Sequence, residues 1–307
     1  MDSFSLKSLR ASTETDLRLA VLGDPVGHSL SPAMQNAGLQ TLHLPYRYGR
    51  LHVRPEDLAA AFDLLRERDF IGWNLTLPHK LAALELLDGL DRTAQRLRSV
   101  NTVVNQSGRL FGFNTDGAGF VAAISEAFKR DLSALKIAVL GAGGGAGQSI
   151  VRHLSELGVP LLILVNRTIA KIERLAADLA ADSKTDIRLE IWDNLADVCG
   201  EVDLIVHASS LGLDDERIHE GWSAIEPRHL VFDMVYGPQE TSLVRFAREK
   251  GATAVDGLLM LLHQGVLAFE IWFGKPAPGG AMRAALWLAA GRARSWERYA
   301  YFGDRTL

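Results

Sequence analysis

Lys136-Ile137-Ala138-Val139-Leu140-Gly141-Ala142-Gly143-Gly144-Gly145-Ala146 is the stretch that decides the fold of this chain. An apolar, buried-type strand runs straight into glycines spaced G-x-G-x-x-A, and a helical pattern begins near Ala146. In such a turn Gly141 permits the tight reversal and Gly143 lets backbone approach a pyrophosphate. Ala146 in the third position is expected to allow close packing of helix on strand. The helix start offers free N–H groups and a positive dipole end. Gly141, Ala142, Gly143, Gly144, Gly145 and Ala146 are therefore the expected phosphate cradle.

Downstream, the helix reaches Leu157 and is followed by a strand at Leu161 to Val165 and a helix at Ile169 to Ala181. Further strands are expected near Ile187, Leu204 and Leu230. This alternation is a doubly wound nucleotide-binding pattern, with boundaries near Asp116 and Asp256. The end of the second strand selects the nucleotide. An NAD site usually carries Asp or Glu there, bonding the adenosine ribose. This chain has Asn166-Arg167-Thr168, with Lys171 one turn further on. Arg167 and Lys171 supply positive charge, and Asn166 and Thr168 polar contacts, for a 2′-phosphate, which predicts NADP(H).

Upstream, a second alternation runs through strand-like Leu17 to Leu22, a helix from Pro32 to about Thr41, and a strand at Tyr46 to Leu51. A helix at Pro55 to Glu67, a strand at Ile71 to Leu75 and a helix opened by Pro78 follow. The pattern predicts a mostly parallel sheet covered by helices. Polar residues gather at its junctions. Ser29 and Ser31, in Gly23-Asp24-Pro25-Val26-Gly27-His28-Ser29-Leu30-Ser31-Pro32, suit a carboxylate at a helix start or, equally, an N-cap pair. Thr76 and Lys80 lie in Asn74-Leu75-Thr76-Leu77-Pro78-His79-Lys80, where a strand gives way to a helix. Asn101 opens Val100-Asn101-Thr102-Val103. Asp116, in Asn114-Thr115-Asp116-Gly117, opens the next helix, where capping is the default role for an Asp. His28 reads as a structural turn residue. Ser, Thr, Lys, Asn and Asp together at sheet-edge junctions suit a small polyhydroxylated acid. Lys80 as an ammonium can stabilise an oxyanion and protonate it, with Asp116 orienting it.

Composition bounds the rest. At 307 residues, 48% apolar and 23% charged, the chain has room for two ordinary domains. A net charge of −4 gives no reason to expect nucleic acid or an anionic membrane as a partner. The single cysteine, Cys199, excludes an intrachain disulfide and fits a reducing, cytoplasmic setting. Residues 1–16 lack an apolar core of signal-peptide length and read as a flexible leader. Leu258 to about Ala290 reads as a helical stretch that packs back on another domain. Arg292, Arg294 and Arg298, with Trp296 and Tyr299, read as a solvated helix end.

From Leu17 to Arg283 the chain resembles the shikimate dehydrogenase family. The motifs above carry the resemblance, together with Gly112-Phe113-Asn114-Thr115-Asp116-Gly117-Ala118-Gly119-Phe120 and Asp233-Met234-Val235-Tyr236-Gly237-Pro238. Asp256-Gly257-Leu258-Leu259-Met260-Leu261-Leu262-His263-Gln264-Gly265 adds a further match. The resemblance implies an α/β protein with an N-terminal substrate domain (1–115), a Rossmann-type NADP domain (116–256) and C-terminal helices (257–307) that return to the substrate domain. It implies NADPH-dependent, reversible reduction of 3-dehydroshikimate to shikimate by a monomer or homodimer, with Lys80 and Asp116 at the reacting oxygen. Ser29, Ser31 and Tyr236 would face the substrate carboxylate, and Thr76, Asn101 and Gln264 the ring. Met234 and Gly257 would lie beside the nicotinamide. Two positions depart from the family pattern: His207-Ala208-Ser209 replaces Asn-Ala-Thr near the expected cofactor, and Arg98-Ser99 replaces a small pair. Quinate/shikimate and aminoshikimate dehydrogenases are the alternatives within the family, and a non-catalytic NADP-binding regulator lies outside it.

Overall fold

The computed structural model describes residues 3–180, 184–209 and 220–292. It divides into two compact units, Met1–Gly119 with Leu261–Leu307, and Phe120–Met260. The divisions fall a few residues beyond the expected boundaries, inside two helices rather than ahead of them.

The first unit carries strands β1 (Ser3–Ser5), β2 (Leu17–Gly23), β3 (Arg47–His52), β4 (Gly72–Leu75), β5 (Gly89–Leu90), β6 (Thr102–Gln106) and β7 (Arg109–Phe113). They form one seven-stranded sheet in the order β1-β3-β2-β4-β6-β7-β5. Pairing is parallel from β1 to β4 and between β5 and β7, and β6 runs antiparallel to both β4 and β7. Helices α1 (Leu6–Ala11), α2 (Ser31–Thr41), α3 (Leu58–Glu67), α4 (His79–Ala82) and α5 (Arg92–Leu97) connect the strands, and α6 (Asp116–Phe128) leads out of the sheet. Leu22, Leu65, Phe70, Trp73, Val100 and Val103 anchor its core at 2% exposure or less.

The expectation of a flexible leader is corrected here. Ser3, Phe4 and Ser5 pair with Arg50, Leu51 and His52, and Ser5 and Ser8 cap α1 reciprocally. Leu9 is 1% exposed. Phe4, Leu6 and Leu9 are too few apolar residues to set a period, so only the pairing partner reveals the strand.

The second unit adds β8 (Lys136–Leu140), α7 (Gly145–Leu157), β9 (Leu161–Val165), α8 (Ile169–Ala180), β10 (Asp186–Glu190) and α9 (Leu195–Glu201). Then follow β11 (Leu204–His207), β12 (Leu230–Asp233), α10 (Ser242–Glu249) and β13 (Thr253–Asp256). Its sheet is parallel throughout, ordered β10-β9-β8-β11-β12-β13. The strand order reverses between β8 and β11, and such a switch point is where open α/β sheets bind their ligands.

The C-terminal stretch is two helices, α11 (Leu258–Phe273) and α12 (Gly279–Ala289), broken at Gly274 in the left-handed region (φ 63°). From Leu261 on they belong to the first unit, where Gln35 of α2 donates to the Gly265 carbonyl at 2.9 Å. Trp272 Nε1 donates to Val103 O at 3.0 Å. Arg294, Trp296, Arg298 and Tyr299 lie outside the described residues. No described helix is long and apolar enough to cross a membrane.

Cys199 is buried in the second unit's core, where burial pushes its thiol up to about 11. The thiolate is the reactive form, so the native protein is expected to stay unmodified by a disulfide reagent at pH 8. Rapid loss of the free thiol without denaturant would contradict this burial.

Candidate active site

Strand register gathers several of the candidate residues at one end of the first unit. Asn74 of β4 is paired with Thr102 of β6, which is paired with Phe113 of β7. The residues just beyond these positions, Thr76 to Lys80, Asn101, and Asn114 to Asp116, therefore leave the sheet at one end. Backbone bonds fix the junction: Leu75 N–H donates to Asn101 O at 2.9 Å, Asn101 N–H to Phe113 O at 3.1 Å, and Val100 N–H to Lys80 O at 2.9 Å.

Lys80 Nζ donates to Asp116 Oδ2 at 2.6 Å, with side chains 26% and 9% exposed. The lysine is thus the member that solvent or substrate can reach, and the carboxylate is the buried counter-charge. Asp116 Oδ1 accepts from Asn101 Nδ2 at 2.8 Å. Asn101 is itself held: its Oδ1 accepts from Thr115 N–H at 2.9 Å and from Thr102 Oγ1 at 3.0 Å. Asp116 does not cap its helix with its side chain. Asn114 does part of that work, accepting the Asp116 N–H at 3.0 Å, and Asp116 stays available for the lysine.

The network reaches residues that sequence reading did not assign. Asn74 Nδ2 donates to Asn101 O and Thr102 Oγ1, each at 3.0 Å, and Asn74 Oδ1 accepts from Tyr48 OH at 2.8 Å. Burial pushes the Tyr48 phenol well above its ordinary value, against which the Arg50 charge and a hydrogen bond with Ser31 act in the other direction. Tyr48 is thereby linked through Asn74 to Asn101 and Asp116. The available signal was a Tyr on the inward face of a buried strand, since a buried phenol needs a polar partner.

Ser29 divides the two readings of the S-x-S pair. Its Oγ accepts the Ser31 N–H at 3.3 Å, a local turn at the start of α2, and its carbonyl accepts from Arg50 Nε at 2.9 Å and Nη2 at 2.6 Å. Ser31 is the first helical residue, and the residue before it, Leu30, makes no side-chain cap. Thr76 is half-buried beside Gly23, whose lack of a Cβ makes room for its methyl group. Gln264, on α11, is half-buried and donates to Leu261 O at 2.7 Å.

Gly119 sets how closely α11 approaches the first turn of α6. A Cβ there would lie 2.7 Å from Gln264 N and 2.8 Å from Gln264 Cβ. Gly119→Ala must push Gln264 away, so it is expected to raise the substrate KM severalfold and to lower stability by about 1–3 kcal/mol. Unchanged kinetics and melting temperature would contradict this packing role.

In the second unit Gly141 sits at φ 82° with its N–H on Val165 O at 2.8 Å, so the chain reverses as soon as β8 ends. Gly144 and Gly145 are exposed, and Gly144 stands at the N-terminus of α7 without a side-chain cap. Gly147, which follows Ala146, also lies close to the turn: a Cβ there would overlap the Gly141 carbonyl. Gly143 donates its N–H to Asn166 Oδ1 at 3.3 Å, and Asn166 Nδ2 donates to Thr168 O at 2.8 Å. Asn166 thus braces the glycine loop. Arg167, Thr168 and Lys171 are exposed at the end of β9. Glycines where any side chain would fill the cradle, an uncapped helix start and a basic rim fit a phosphorylated dinucleotide.

Met234 N–H donates to His207 O at 2.8 Å, and Gly257 N–H to Val235 O at 3.2 Å. A Cβ on Gly257 would overlap Met234 O, so glycine keeps β13 close to the segment after β12. Tyr236 is half-buried, and burial raises its phenol. Arg98 is exposed at the end of α5 in the left-handed region (φ 49°), a capping position rather than a site contact.

A doubly wound sheet with a dinucleotide cradle, in a chain whose other sheet carries a lysine–aspartate pair at its strand ends, defines the class of nicotinamide-dependent oxidoreductases. Family models narrow it. The Shikimate dehydrogenase substrate binding domain matches residues 21–103, Shikimate / quinate 5-dehydrogenase residues 123–234, and the Shikimate 5'-dehydrogenase C-terminal domain residues 257–286. The Shikimate dehydrogenase (NADP(+)) of Symbiobacterium thermophilum is 41% identical over 274 residues, 87% of this chain and 92% of that protein. The Thermus thermophilus Shikimate 5-Dehydrogenase, solved in complex with NADP(H) and shikimate, aligns with TM-score 0.79 and 38% identity over 89% of this chain and 99% of that one. Quinate dehydrogenase from Corynebacterium glutamicum in complex with NAD aligns with TM-score 0.78 and 28% identity over 88% and 98%. The chain belongs to the shikimate dehydrogenase family.

Proposed function

We propose that this protein is a shikimate dehydrogenase that reduces 3-dehydroshikimate to shikimate, reversibly, with NADPH. The observation that carries the reading is the array Lys80–Asp116–Asn101, a reachable ammonium on a buried carboxylate that is itself fixed from behind. A bound NADPH supplies the hydride; the residues of this chain bind, orient and move the proton.

Reduction of a ketone builds negative charge on its oxygen. Lys80 stabilises that charge and donates the proton. Asp116 keeps Lys80 aimed and balances its charge, and Asn101, itself held by Thr102 and Thr115, holds Asp116, so little reorganisation is needed during the reaction. In the oxidative direction Lys80 takes the proton from the substrate hydroxyl. Ser29, Ser31 and Tyr236 are assigned to the carboxylate, and Thr76, Asn101 and Gln264 to the ring hydroxyls. Gly141 to Ala146, Asn166, Arg167, Thr168, Lys171, Met234 and Gly257 are assigned to the cofactor. Arg167 and Lys171 support NADP over NAD, because an exposed cationic pair favours a 2′-phosphate. The buried thiol of Cys199 is consistent with a cytoplasmic enzyme, and a monomer or homodimer is expected.

The test is product analysis. Incubation of 3-dehydroshikimate with NADPH is expected to yield shikimate, identified by its proton NMR spectrum, in amounts equal to the NADPH consumed. Absence of shikimate at full protein loading would sink the assignment.

A further inference from the structure

Arg50, on β3, is a half-buried cation without a counter-charge. Ser29 O accepts from its Nε at 2.9 Å and its Nη2 at 2.6 Å, and the remaining guanidinium donors meet no partner among the described residues. Arg47, on the same strand, is paired with Glu14 and Asp16. Several contacts fix where Arg50 stands. Tyr48 and Arg50 are two apart on a strand, so their side chains share one face of the sheet. Asn36 of α2 clamps the Tyr48 backbone: its Nδ2 donates to Tyr48 O at 2.9 Å, and its Oδ1 accepts the Tyr48 N–H at 2.8 Å. The start of α2 is thereby held beside this stretch of β3. Ser29 Oγ accepts the Ser31 N–H at 3.3 Å, so the turn that Arg50 grips carries both serines. Burial raises the Tyr48 phenol, and the Arg50 charge and a hydrogen bond with Ser31 oppose that rise. The guanidinium therefore acts where Ser29, Ser31 and Tyr48 come together.

A clamp on the Ser29 carbonyl does not by itself call for an arginine. A carbonyl is a dipole, and a neutral donor would serve it. Drawing a full charge partly out of water costs free energy unless an anion faces it, and one carbonyl offsets only part of that cost. The planar fork of a guanidinium matches a carboxylate, which accepts two of its N–H groups side by side. The hydroxyls of Ser29 and Ser31 supply hydrogen bonds at this place and no charge. An unpaired arginine beside them supplies what they lack.

We propose that Arg50 is a specificity-determining residue that supplies the positive charge for the substrate carboxylate, selecting the anionic acid over neutral relatives of the same ring. This inference rests on the reading above, in which Ser29 and Ser31 take that carboxylate. Nε and Nη2 hold the serine turn, and Nη1 is left for the incoming anion. Arg50 has no part in the transfer of hydride or proton, so its contribution falls on substrate affinity and leaves the chemical step to Lys80 and Asp116.

The test compares shikimate with its neutral methyl ester on the full chain, the ester being read as a substrate or as a competitive inhibitor of shikimate oxidation. Arg50→Gln is expected to raise the KM for shikimate about twentyfold, the loss of one charge-assisted hydrogen bond, and to lower kcat by no more than about threefold. The KM or inhibition constant of the ester is expected to change by no more than about twofold. Arg50→Lys keeps the charge without the fork and is expected to hold the shikimate KM within about fivefold of the unaltered protein. An unchanged NADP Kd, measured by calorimetry on each variant, shows that the chain has folded. A shikimate KM that Arg50→Gln leaves unchanged would overturn the proposal. So would equal losses for acid and ester, or a lysine variant no better than the glutamine one, since either result makes Arg50 a clamp on the serine turn and nothing more. Absence of shikimate turnover by the unaltered protein would instead overturn the functional reading, and this inference with it.

Discussion

Lys80→Met is expected to lower kcat for shikimate oxidation about a thousandfold while leaving the NADP Kd unchanged. Methionine keeps the length of the side chain and removes both the proton carrier and the positive charge that faces Asp116. The lysine is the exposed member of the pair, so its loss strikes the transition state directly. Asp116, still held by Asn101 at 2.8 Å, keeps its place. The split between kcat and nucleotide affinity separates a chemical role from a folding one, because a collapsed variant would lose both. Stopped-flow turnover and calorimetric binding on the same preparation check it. Full turnover, or equal loss of nucleotide binding, would remove Lys80 from the reaction.

Arg167→Ala with Lys171→Ala is expected to raise the KM for NADP about a hundredfold and to leave the KM for NAD almost unchanged. Each charged hydrogen bond to a 2′-phosphate contributes roughly 1.5–3 kcal/mol, and exposure of both side chains places the pair at the lower end of the summed range. Thr168 and Asn166 remain, but Asn166 is committed to Gly143 N–H and Thr168 O and cannot replace the lost charge. Parallel saturation curves with NADP and NAD check this. Equal effects on both nucleotides would mean that the cationic pair supports the loop generally and does not recognise the phosphate.

The elements that position the lysine–aspartate pair and the glycine loop are legible in the sequence because each joins a periodic apolar run to a turn residue. Lys136 to Leu140 followed by Gly141 emerges with the boundaries read from the residues, and a helix opens at Asp116 as expected. What sequence reading misses has physical reasons. The hairpin of β6 and β7 turns at Ser107 and Gly108, both in the left-handed region, but Thr102 to Gln106 reads from sequence only as a motif. The Ser3–Ser5 strand is defined by a partner distant in sequence, which no local period reports. Gly147 is not singled out by the motif, because the motif counts positions, whereas the contact with the Gly141 carbonyl depends on where the helix axis falls. Tyr48 and Asn74 are invisible as support for Asn101 because their roles arise from strand register. His207 stands out from the family pattern, but its bonds to Asp233 and Ser209 need the alignment of β11 with β12.

The most direct measurement is the initial rate of nicotinamide reduction with shikimate and with quinate, each supplied with NADP and with NAD. Rapid turnover of shikimate with NADP, and little with quinate or with NAD, is the predicted result. Quinate turned over as fast as shikimate, or NAD used as readily as NADP, would contradict it and assign the chain a broader specificity within its family.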